Sequence, residues 1–122
     1  MILLDTSLWI EALRENGDPA CKRLVEDSLA SGRACWMSMI RLELWNGARG
    51  ESEKRALREF EEVLTDLEVV PKVWETAFDL ARRAGKAGLT VPAANLLIVA
   101  CARHHRVEVE STDSHFAELK KL

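Results

Sequence analysis

Long hydrophobic runs are absent from this 122-residue sequence, and its cysteines form no pairing pattern. No apolar stretch approaches the ~18 residues that a membrane-spanning helix needs. Asp5 interrupts the N-terminal apolar segment too early for the apolar region of a secretory signal peptide. These absences predict a cytoplasmic protein with no membrane partner.

Cysteine is scarce, and the three residues, Cys21, Cys35 and Cys101, include no Cys-x-x-Cys pair. Such a set provides neither a disulfide framework nor a zinc site. Because each cysteine has apolar neighbours, we expect three buried free thiols. A strong excess of one charge is also lacking. The net charge of −3 excludes a generic polyanion binder, but it does not exclude a protein that contacts nucleic acid through a local basic rim.

The composition is that of a soluble globular protein, with 48% hydrophobic and 30% charged residues. A chain of this length is typical of one domain, so we expect a single domain over residues 1–122. Repeats, low-complexity segments and linkers are missing. Short apolar runs alternate with helical periodicity, and this alternation indicates an α/β protein built from βαβ units.

Four apolar runs are predicted strands, namely Ile2–Leu4, Ala34–Met37, Leu67–Val70 and Val107–Thr112. Helices are predicted between and after them, with Ser7, Asp18, Ser38 and Ser52 as N-caps. The runs are continuously apolar, which is typical of strands buried on both faces of a parallel sheet. The expected architecture is a three-layer α/β/α sandwich around a parallel sheet of four to five strands.

Four polar residues point to chemistry at one edge of this sheet. Asp5 and Asp113 each follow a predicted strand, and Glu43 and Asn95 lie near the starts of helices that face the same edge. Ligands of open α/β sheets bind beyond the carboxyl ends of the strands. A buried, unpaired acid is destabilising by several kcal/mol. A shared Mg²⁺ removes that penalty, because this ion prefers oxygen ligands and can activate water at a phosphodiester.

Each of these acids also has a purely structural interpretation. Asp5 can cap a helix at a turn, Glu43 can be a half-exposed helix acid, and Asp113 can be an N-cap between Thr112 and Ser114. No single motif is specific. Their order along the chain and their positions at the ends of elements favour a common site.

Three segments resemble the PIN-domain nucleases, and most closely the compact VapC-type toxins of toxin–antitoxin pairs. The similarity starts with the strand and acid of residues 2–7 and continues through the glutamate-bearing helix of residues 40–49. It ends with residues 91–100 and 112–116 of the C-terminal half. The resemblance extends essentially from end to end. It implies a PIN-like α/β/α fold, metal-dependent cleavage of RNA, a cognate antitoxin partner and a homodimer.

The resemblance also implies roles for individual residues. Asp5 and Asp113 would bind Mg²⁺ or Mn²⁺, with Asn95 in the place of a third acid, and Glu43 would complete the catalytic cluster. Three hydroxyl-bearing residues would hydrogen-bond the carboxylates and orient them, as outer-shell groups do: Thr6, Ser7 and Thr112.

Asn95 departs from the pattern, because the family has an aspartate at this position. The amide keeps the shape of the side chain but loses its charge, and its oxygen is a weaker metal ligand. The chain is therefore either an active ribonuclease with weakened metal binding or an inactivated form, natural or engineered. The second hypothesis is a non-catalytic PIN-like module that binds RNA or an antitoxin. A receiver-like signalling domain is disfavoured, because paired acids after the first strand are missing.

Other residues have more ordinary interpretations. Trp36 and Trp74 are predicted core residues, whereas Trp9 and Trp45 fit either the core or a partner surface. Several cations are candidates for phosphate contacts, although solvated helix charges and complements of the helix dipole are the favoured interpretation: Arg41, Arg49 and the basic segment 103–106. His115 lies beside the last acid, and alone it is weak evidence for a ligand or base.

Overall fold

The computed structural model describes residues 1–122. Its strands are β1 (Ile2–Leu4), β2 (Ala34–Met37), β3 (Thr65–Leu67) and β4 (Glu108–Glu110). Its helices are α1 (Thr6–Leu13), α2 (Pro19–Ala30), α3 (Ser38–Asn46), α4 (Gly50–Val63), α5 (Pro71–Lys86), α6 (Ala93–His105) and α7 (His115–Lys120). None of these helices combines the length and the apolar character that crossing a bilayer requires.

The four strands form one parallel sheet in the order β3-β2-β1-β4. Leu3 of β1 pairs with Cys35 of β2 on one side and with Val109 of β4 on the other. The predicted PIN-like α/β/α architecture is confirmed. Strands β2 and β3 follow one another on one side of β1, and β4 pairs with β1 on its other side. The switch point, where such sheets bind ligands, therefore lies between β1 and β4.

Burial explains why the central strands were easy to predict and the edge strands were not. All of β2 is buried and β1 nearly so, since helices cover the sheet. Each edge strand has a single buried residue, Leu67 in β3 and Val109 in β4. The predicted boundaries Leu67–Val70 and Val107–Thr112 were therefore wrong. An edge strand with one buried residue does not need a continuous apolar run, so such a run does not show where the strand begins and ends.

Helix starts were predicted with mixed success. Asp18 is the N-cap of α2, and its carboxylate accepts a hydrogen bond from the Cys21 N–H at 3.0 Å. Ser7 is not a cap, because Asp5 precedes it and caps α1. Ser38 lies inside α3, after Met37 as N-cap, and α4 begins at Gly50, two residues before the predicted cap Ser52.

An aromatic cluster fills the space between the sheet and the helices on one side. Trp9 is fully buried, and its ring centroid lies 5.0 Å from that of Phe60 and 6.2 Å from that of Trp36. The Trp9 Nε1–H donates to the Leu4 carbonyl oxygen at 3.0 Å. Trp36 is a core residue as predicted, and Trp9 belongs to the core too. Trp74 does not, because 46% of its surface is exposed on α5.

The cysteines are free, as predicted, but only two of them are buried. Burial raises the pKa of the Cys35 and Cys101 thiols to about 11, so neither is a thiolate at neutral pH. The prediction of burial was wrong for Cys21, which lies half-buried in the first turn of α2.

Trp9→Phe should lower the free energy of unfolding by roughly 2–4 kcal/mol, because it removes a buried hydrogen bond and leaves a void in the aromatic cluster. Urea denaturation measures the effect. Trp74→Phe is the matched control, because that side chain is largely exposed, and its stability should change by no more than about 0.5 kcal/mol. Equal effects of the two substitutions would contradict the assignment of Trp9 to the core.

Candidate functional site

Asp5 lies at the carboxyl end of β1, where the sheet meets α1. Its backbone N–H donates to the Glu110 carbonyl oxygen at 2.9 Å, which continues the β1–β4 pairing by one residue. The side chain is only 5% exposed, and its Oδ2 accepts the Ser7 hydroxyl at 3.0 Å. A carboxylate this deeply buried needs such donors, since an unpaired one is strongly destabilising. Asp5 is thus both a helix cap and a polar group held at the switch point.

Ser111 joins Asp5 to Asp113. The Ser111 hydroxyl donates to Asp5 Oδ2 at 2.8 Å and accepts the Asp113 backbone N–H at 2.9 Å. Its oxygen also lies 3.3 Å from that of Ser7. One hydroxyl therefore fixes two acids that are more than a hundred residues apart in sequence.

Asn95 is buried in the first turn of α6 and faces Asp113. Its Nδ2–H donates to Asp113 Oδ2 at 3.1 Å, and the His115 backbone N–H donates to Asp113 Oδ1 at 2.9 Å. The His115 N–H and the Asn95 amide hold the pKa of Asp113 below its usual value, against a smaller opposing effect of burial. Asp113 is therefore a carboxylate at neutral pH, and the amide lets the two side chains touch without charge repulsion.

His115 Nδ1 lies 2.9 Å from Asp113 Oδ1, but the two atoms are not aligned as a hydrogen bond. The positive charge of a protonated imidazole would add to the attraction. The hydrogen bond between His115 and Asp113 is made by the His115 backbone N–H.

Glu43 lies in the middle of α3, and its Oε1 accepts the Thr6 hydroxyl at 2.8 Å. Because Thr6 follows Asp5 directly in sequence, this bond ties Glu43 of α3 to the residue next to the first acid. The structure brings the predicted positions together as two hydrogen-bonded groups, one of Asp5, Asn95 and Asp113 and one of Glu43 and Thr6.

The hydroxyls of Thr6 and Ser7 each donate to a carboxylate, at Glu43 and Asp5, whereas the Thr112 hydroxyl makes no such hydrogen bond. Thr112 contributes its backbone N–H, which donates to the Ser7 hydroxyl oxygen at 3.3 Å. The hydroxyl that links the acids belongs to Ser111, which sequence reasoning missed. A signal was available, because a serine two residues before an aspartate can accept that residue's N–H in a local turn.

The donor set at this edge consists of carboxylate, amide and hydroxyl oxygens. Such oxygens suit Mg²⁺, which is usually held by one or two carboxylates together with waters. No three side chains among His, Cys, Asp and Glu lie close enough together to hold a metal ion. The side-chain oxygens present are of the type that a hard divalent cation prefers. One of the contributing groups is the Asn95 amide, which contacts Asp113.

The cations singled out as candidate phosphate contacts differ in how they are paired. Arg41 forms ion pairs with Glu61 and Asp66, so its charge is already compensated. Arg49 lines a cleft of about 170 Å³ that also contains Glu43 and the ion pair of Arg14 with Glu53. The basic segment 103–106 lies at the C-terminal end of α6, where positive charge complements the helix dipole.

Ser111→Ala should lower the free energy of unfolding of the metal-free protein by about 1–3 kcal/mol, because Asp5 and the Asp113 N–H each lose a hydrogen-bond partner. Thr112→Ala is the control and should change stability by less than about 0.5 kcal/mol. Urea titrations of both variants test this. A larger loss for Thr112→Ala would contradict the assignment of the link to Ser111.

The pKa of Asp113 in the metal-free protein should lie below the usual value of an aspartate, as measured by an NMR titration of the side-chain carboxyl carbon. Its folded-state pKa is depressed, so it contributes stability above the unfolded-state value of about 3.9, and this contribution is lost as the pH falls through the folded-state pKa. Asn95→Asp should raise the pKa of Asp113, because a negative neighbour replaces an amide donor. An unchanged pKa in that variant would show that the amide contact is unimportant.

Comparison with known proteins agrees with this geometry. The model of the PIN domain family matches residues 2–122. VapC ribonuclease Mb1587 of Mycobacterium bovis and Ribonuclease VapC11 of Mycobacterium tuberculosis are each 30% identical to the chain over 127 residues. The alignments cover 100% of this chain and 93% of each relative.

Solved structures share the fold. VapBC2 from Rickettsia felis, bound to a DNA fragment from its promoter, matches with a TM-score of 0.76 and 16% identity, over 100% of this chain and 93% of its own. FitAcB from Neisseria gonorrhoeae matches with a TM-score of 0.74 and 19% identity, over 98% and 94%. With the family model spanning nearly all residues and the polar cluster at the switch point, the chain belongs to the PIN-domain family.

Proposed function

We propose that this protein is a Mg²⁺- or Mn²⁺-dependent endoribonuclease toxin of a toxin–antitoxin pair, with an active site at the β1–β4 switch point. One observation carries the proposal. Asp5 and Asp113 are held by a single hydroxyl, with Asn95 touching one acid and Glu43 fixed beside the other. The names of the relatives that are 30% identical support RNA as the substrate.

Asp5, Asp113 and the amide oxygen of Asn95 would hold the metal ion. A bound Mg²⁺ or Mn²⁺ supplies an activated water and stabilises the charge that develops on a phosphodiester. The protein's own residues prepare this site before RNA binds. Ser7 and Ser111 orient Asp5, the His115 N–H orients Asp113, and the Thr6 hydroxyl keeps Glu43 in the cluster.

Asn95 makes the metal site weaker than one with an aspartate at this position. An amide contributes no negative charge, and its Nδ2–H occupies one oxygen of Asp113. Metal binding must therefore turn the Asn95 amide or shift Asp113, and both changes break an existing hydrogen bond. The expected activity is low and increases with divalent-ion concentration.

The partners in this proposal are RNA, a cognate antitoxin and a second copy of the chain, and the compartment is the cytoplasm. VapBC2, one of the solved structures that share the fold, is by its name a VapBC assembly, which supports an antitoxin partner. The acidic cluster would attract a basic antitoxin segment, because complementary charges steer association.

A non-catalytic binding module is the second candidate function. The Asn95–Asp113 hydrogen bond favours it, because this bond satisfies the buried Asn95 and the half-buried Asp113 without a metal. Under this alternative the fold and the partner surfaces are kept, and the site serves only as a docking point for RNA or a basic peptide.

Asn95→Asp should increase Mg²⁺- or Mn²⁺-dependent RNA cleavage, and it should tighten metal binding by roughly tenfold or more, as about 1.4 kcal/mol of added electrostatic attraction allows. Cleavage is measured on radiolabelled structured RNA with and without EDTA. Metal affinity is measured separately, by calorimetry and by the metal-dependent shift in melting temperature.

Asn95→Asp combined with Asp5→Asn is the matched control, because it carries the same number of acids without restoring the site. It should neither cleave RNA nor gain metal affinity. If Asn95→Asp binds metal more tightly and still cuts no RNA in an EDTA-sensitive manner, the binding module replaces the ribonuclease.

A further inference from the structure

A cleft of about 170 Å³ lies beside Glu43, between α1, α3 and the start of α4. Glu43 is tied by the Thr6 hydroxyl to the residue next to Asp5, so the cleft adjoins the acidic cluster. Apolar side chains of α1 and α3 line it together with four charged ones: Arg14, Glu43, Arg49 and Glu53. A ligand in this cleft would therefore lie next to the proposed active site.

The two arginines of the cleft differ in their pairing. The Arg14 guanidinium forms an ion pair with Glu53, and both of these side chains are mostly buried. Arg49 gives Glu53 only its backbone N–H, which donates to Oε1 at 2.9 Å. The Arg49 guanidinium itself is exposed and has no ion pair or side-chain hydrogen bond within the chain. It is therefore the one cation of the cleft that is free to bind an anion.

The backbone that carries Arg49 is held at both ends of the short connection between α3 and α4. The Gly47 N–H donates to the Glu43 carbonyl oxygen at 3.0 Å, and the Arg49 N–H is bound by the Glu53 carboxylate. The position of this connection relative to Glu43 is thus fixed before any ligand binds. Because the backbone is already ordered, binding through Arg49 would restrict only one side chain.

Local folding does not account for an arginine at position 49. Arg49 is the N-cap of α4, and its side chain makes no capping hydrogen bond. Serine, threonine, aspartate and asparagine are the favoured N-caps, and a positive charge opposes the dipole at this end of a helix. The first turn of α4 otherwise follows the rule, since it contains Glu51 and Glu53. A residue that breaks a local rule in this way points to a function outside the helix.

A second cleft, on the Asp113 side of the cluster, contains no free cation. This cleft has a volume of about 220 Å³ and lies between the end of β4 and α7. Lys120 is the only cation in its lining, and its Nζ already donates to the Val109 carbonyl oxygen at 3.1 Å. Of the cations in the two clefts that flank the acids, only Arg49 has no partner.

We propose that Arg49 binds a backbone phosphate of single-stranded RNA and so positions the strand along the acidic cluster. The phosphate would be a neighbour of the one at the cluster, on the side of Glu43. A guanidinium suits this role, because it can donate two parallel hydrogen bonds to phosphate oxygens. Its charge would also offset the repulsion between the strand and Glu43. Arg49 is thus a positioning residue, and it does not touch the reacting atoms.

The remaining lining of the cleft fits the same ligand. Ile10, Leu13 and Leu44 offer apolar surface beside the charged groups, and an unstacked base can pack against such surface while its phosphate is bound. The small volume suits one nucleotide of a single strand better than a duplex. The inference rests on the proposed function for RNA as the ligand, and it applies to the ribonuclease and to the binding module alike.

The salt dependence of RNA binding tests the proposal. Binding is measured in EDTA, where no metal-dependent cleavage takes place, by fluorescence anisotropy of a labelled single-stranded RNA. Arg49→Ala should raise the Kd roughly tenfold, as loss of a charged hydrogen-bond donor does. It should also reduce the slope of log affinity against log salt by about 0.7, which corresponds to one phosphate contact. Arg49→Lys should keep the wild-type slope, because it keeps the charge.

Arg55→Ala is the matched control. Arg55 is another exposed arginine of α4 without an ion pair, and it does not line the cleft. Its replacement removes the same charge and should leave the slope unchanged. Equal effects of Arg49→Ala and Arg55→Ala would overturn the proposal, because they would show a general effect of net charge. A wild type that binds no RNA would overturn it as well.

Arg49→Ser separates the proposed role from a structural one. Serine is a favoured N-cap, so this variant should melt at a temperature equal to or above that of the wild type, while its RNA affinity falls as in Arg49→Ala. A lower melting temperature would assign Arg49 to the stability of α4 and contradict the inference.

An acidic protein segment is the other anion that this cleft could take. A labelled glutamate-rich peptide should bind weakly and equally to the wild type and to Arg49→Ala. If the peptide depends on Arg49 and RNA does not, the cleft belongs to a protein partner and the proposal fails. Ribonuclease activity is measured separately, with metal present, so failure of the proposed enzyme and failure of this contact are distinct results.

Discussion

The pair of hydrogen bonds made by the Ser111 hydroxyl, one to Asp5 and one from the Asp113 backbone N–H, is the constraint on which the rest of the site depends. The chain brings one carboxylate from the end of β1 and the other from the end of β4 to the same switch point, and Asp5 is almost fully buried there. The Ser111 hydroxyl makes this possible because it donates to one acid and accepts the backbone N–H of the other. Ser7 and the His115 N–H supply further donors. The strand pairing, the start of α1 and the turn before α7 all meet at these hydrogen bonds.

Asn95 shows how stability and metal chemistry compete at such a site. An aspartate there would add a third negative charge that only a cation could balance, whereas the amide donates to Asp113 and satisfies both groups. In the proposed ribonuclease, this hydrogen bond would stabilise the metal-free state at the expense of affinity for the metal. The proposed ribonuclease and the non-catalytic module share the fold and the remaining acids. They differ in whether a metal ion can still replace the Asn95–Asp113 hydrogen bond.

The surface divides into regions of different chemistry. The carboxyl edge of the sheet is polar and carries the acids, and the cleft beside Glu43 adds Arg49. The exposed side of α5 carries Trp74 and Phe78 among charged residues, and Trp74 lines the cavity beside α3. Trp74 follows the helical spacing of the apolar residues of α5 and yet lies outside the core, because the core covers only the face formed by Val73, Ala77, Leu80 and Ala84.

The sequence by itself determined the fold class, the central strands and the four positions of the acidic cluster. Buried strands and helix periodicity are local signals, and carboxyl ends of parallel strands must share an edge. The roles of these four residues were inferred from the family resemblance. Tertiary structure alone decided the edge-strand boundaries, the exposure of Trp74 and the choice of Ser111 over Thr112 as the link between the acids. Each of these depends on which atoms meet across the sheet or between helices, and residues distant in sequence set such contacts. The hydroxyls of Ser111 and Thr112 are equivalent candidates in the sequence, but of these two only that of Ser111 donates to Asp5.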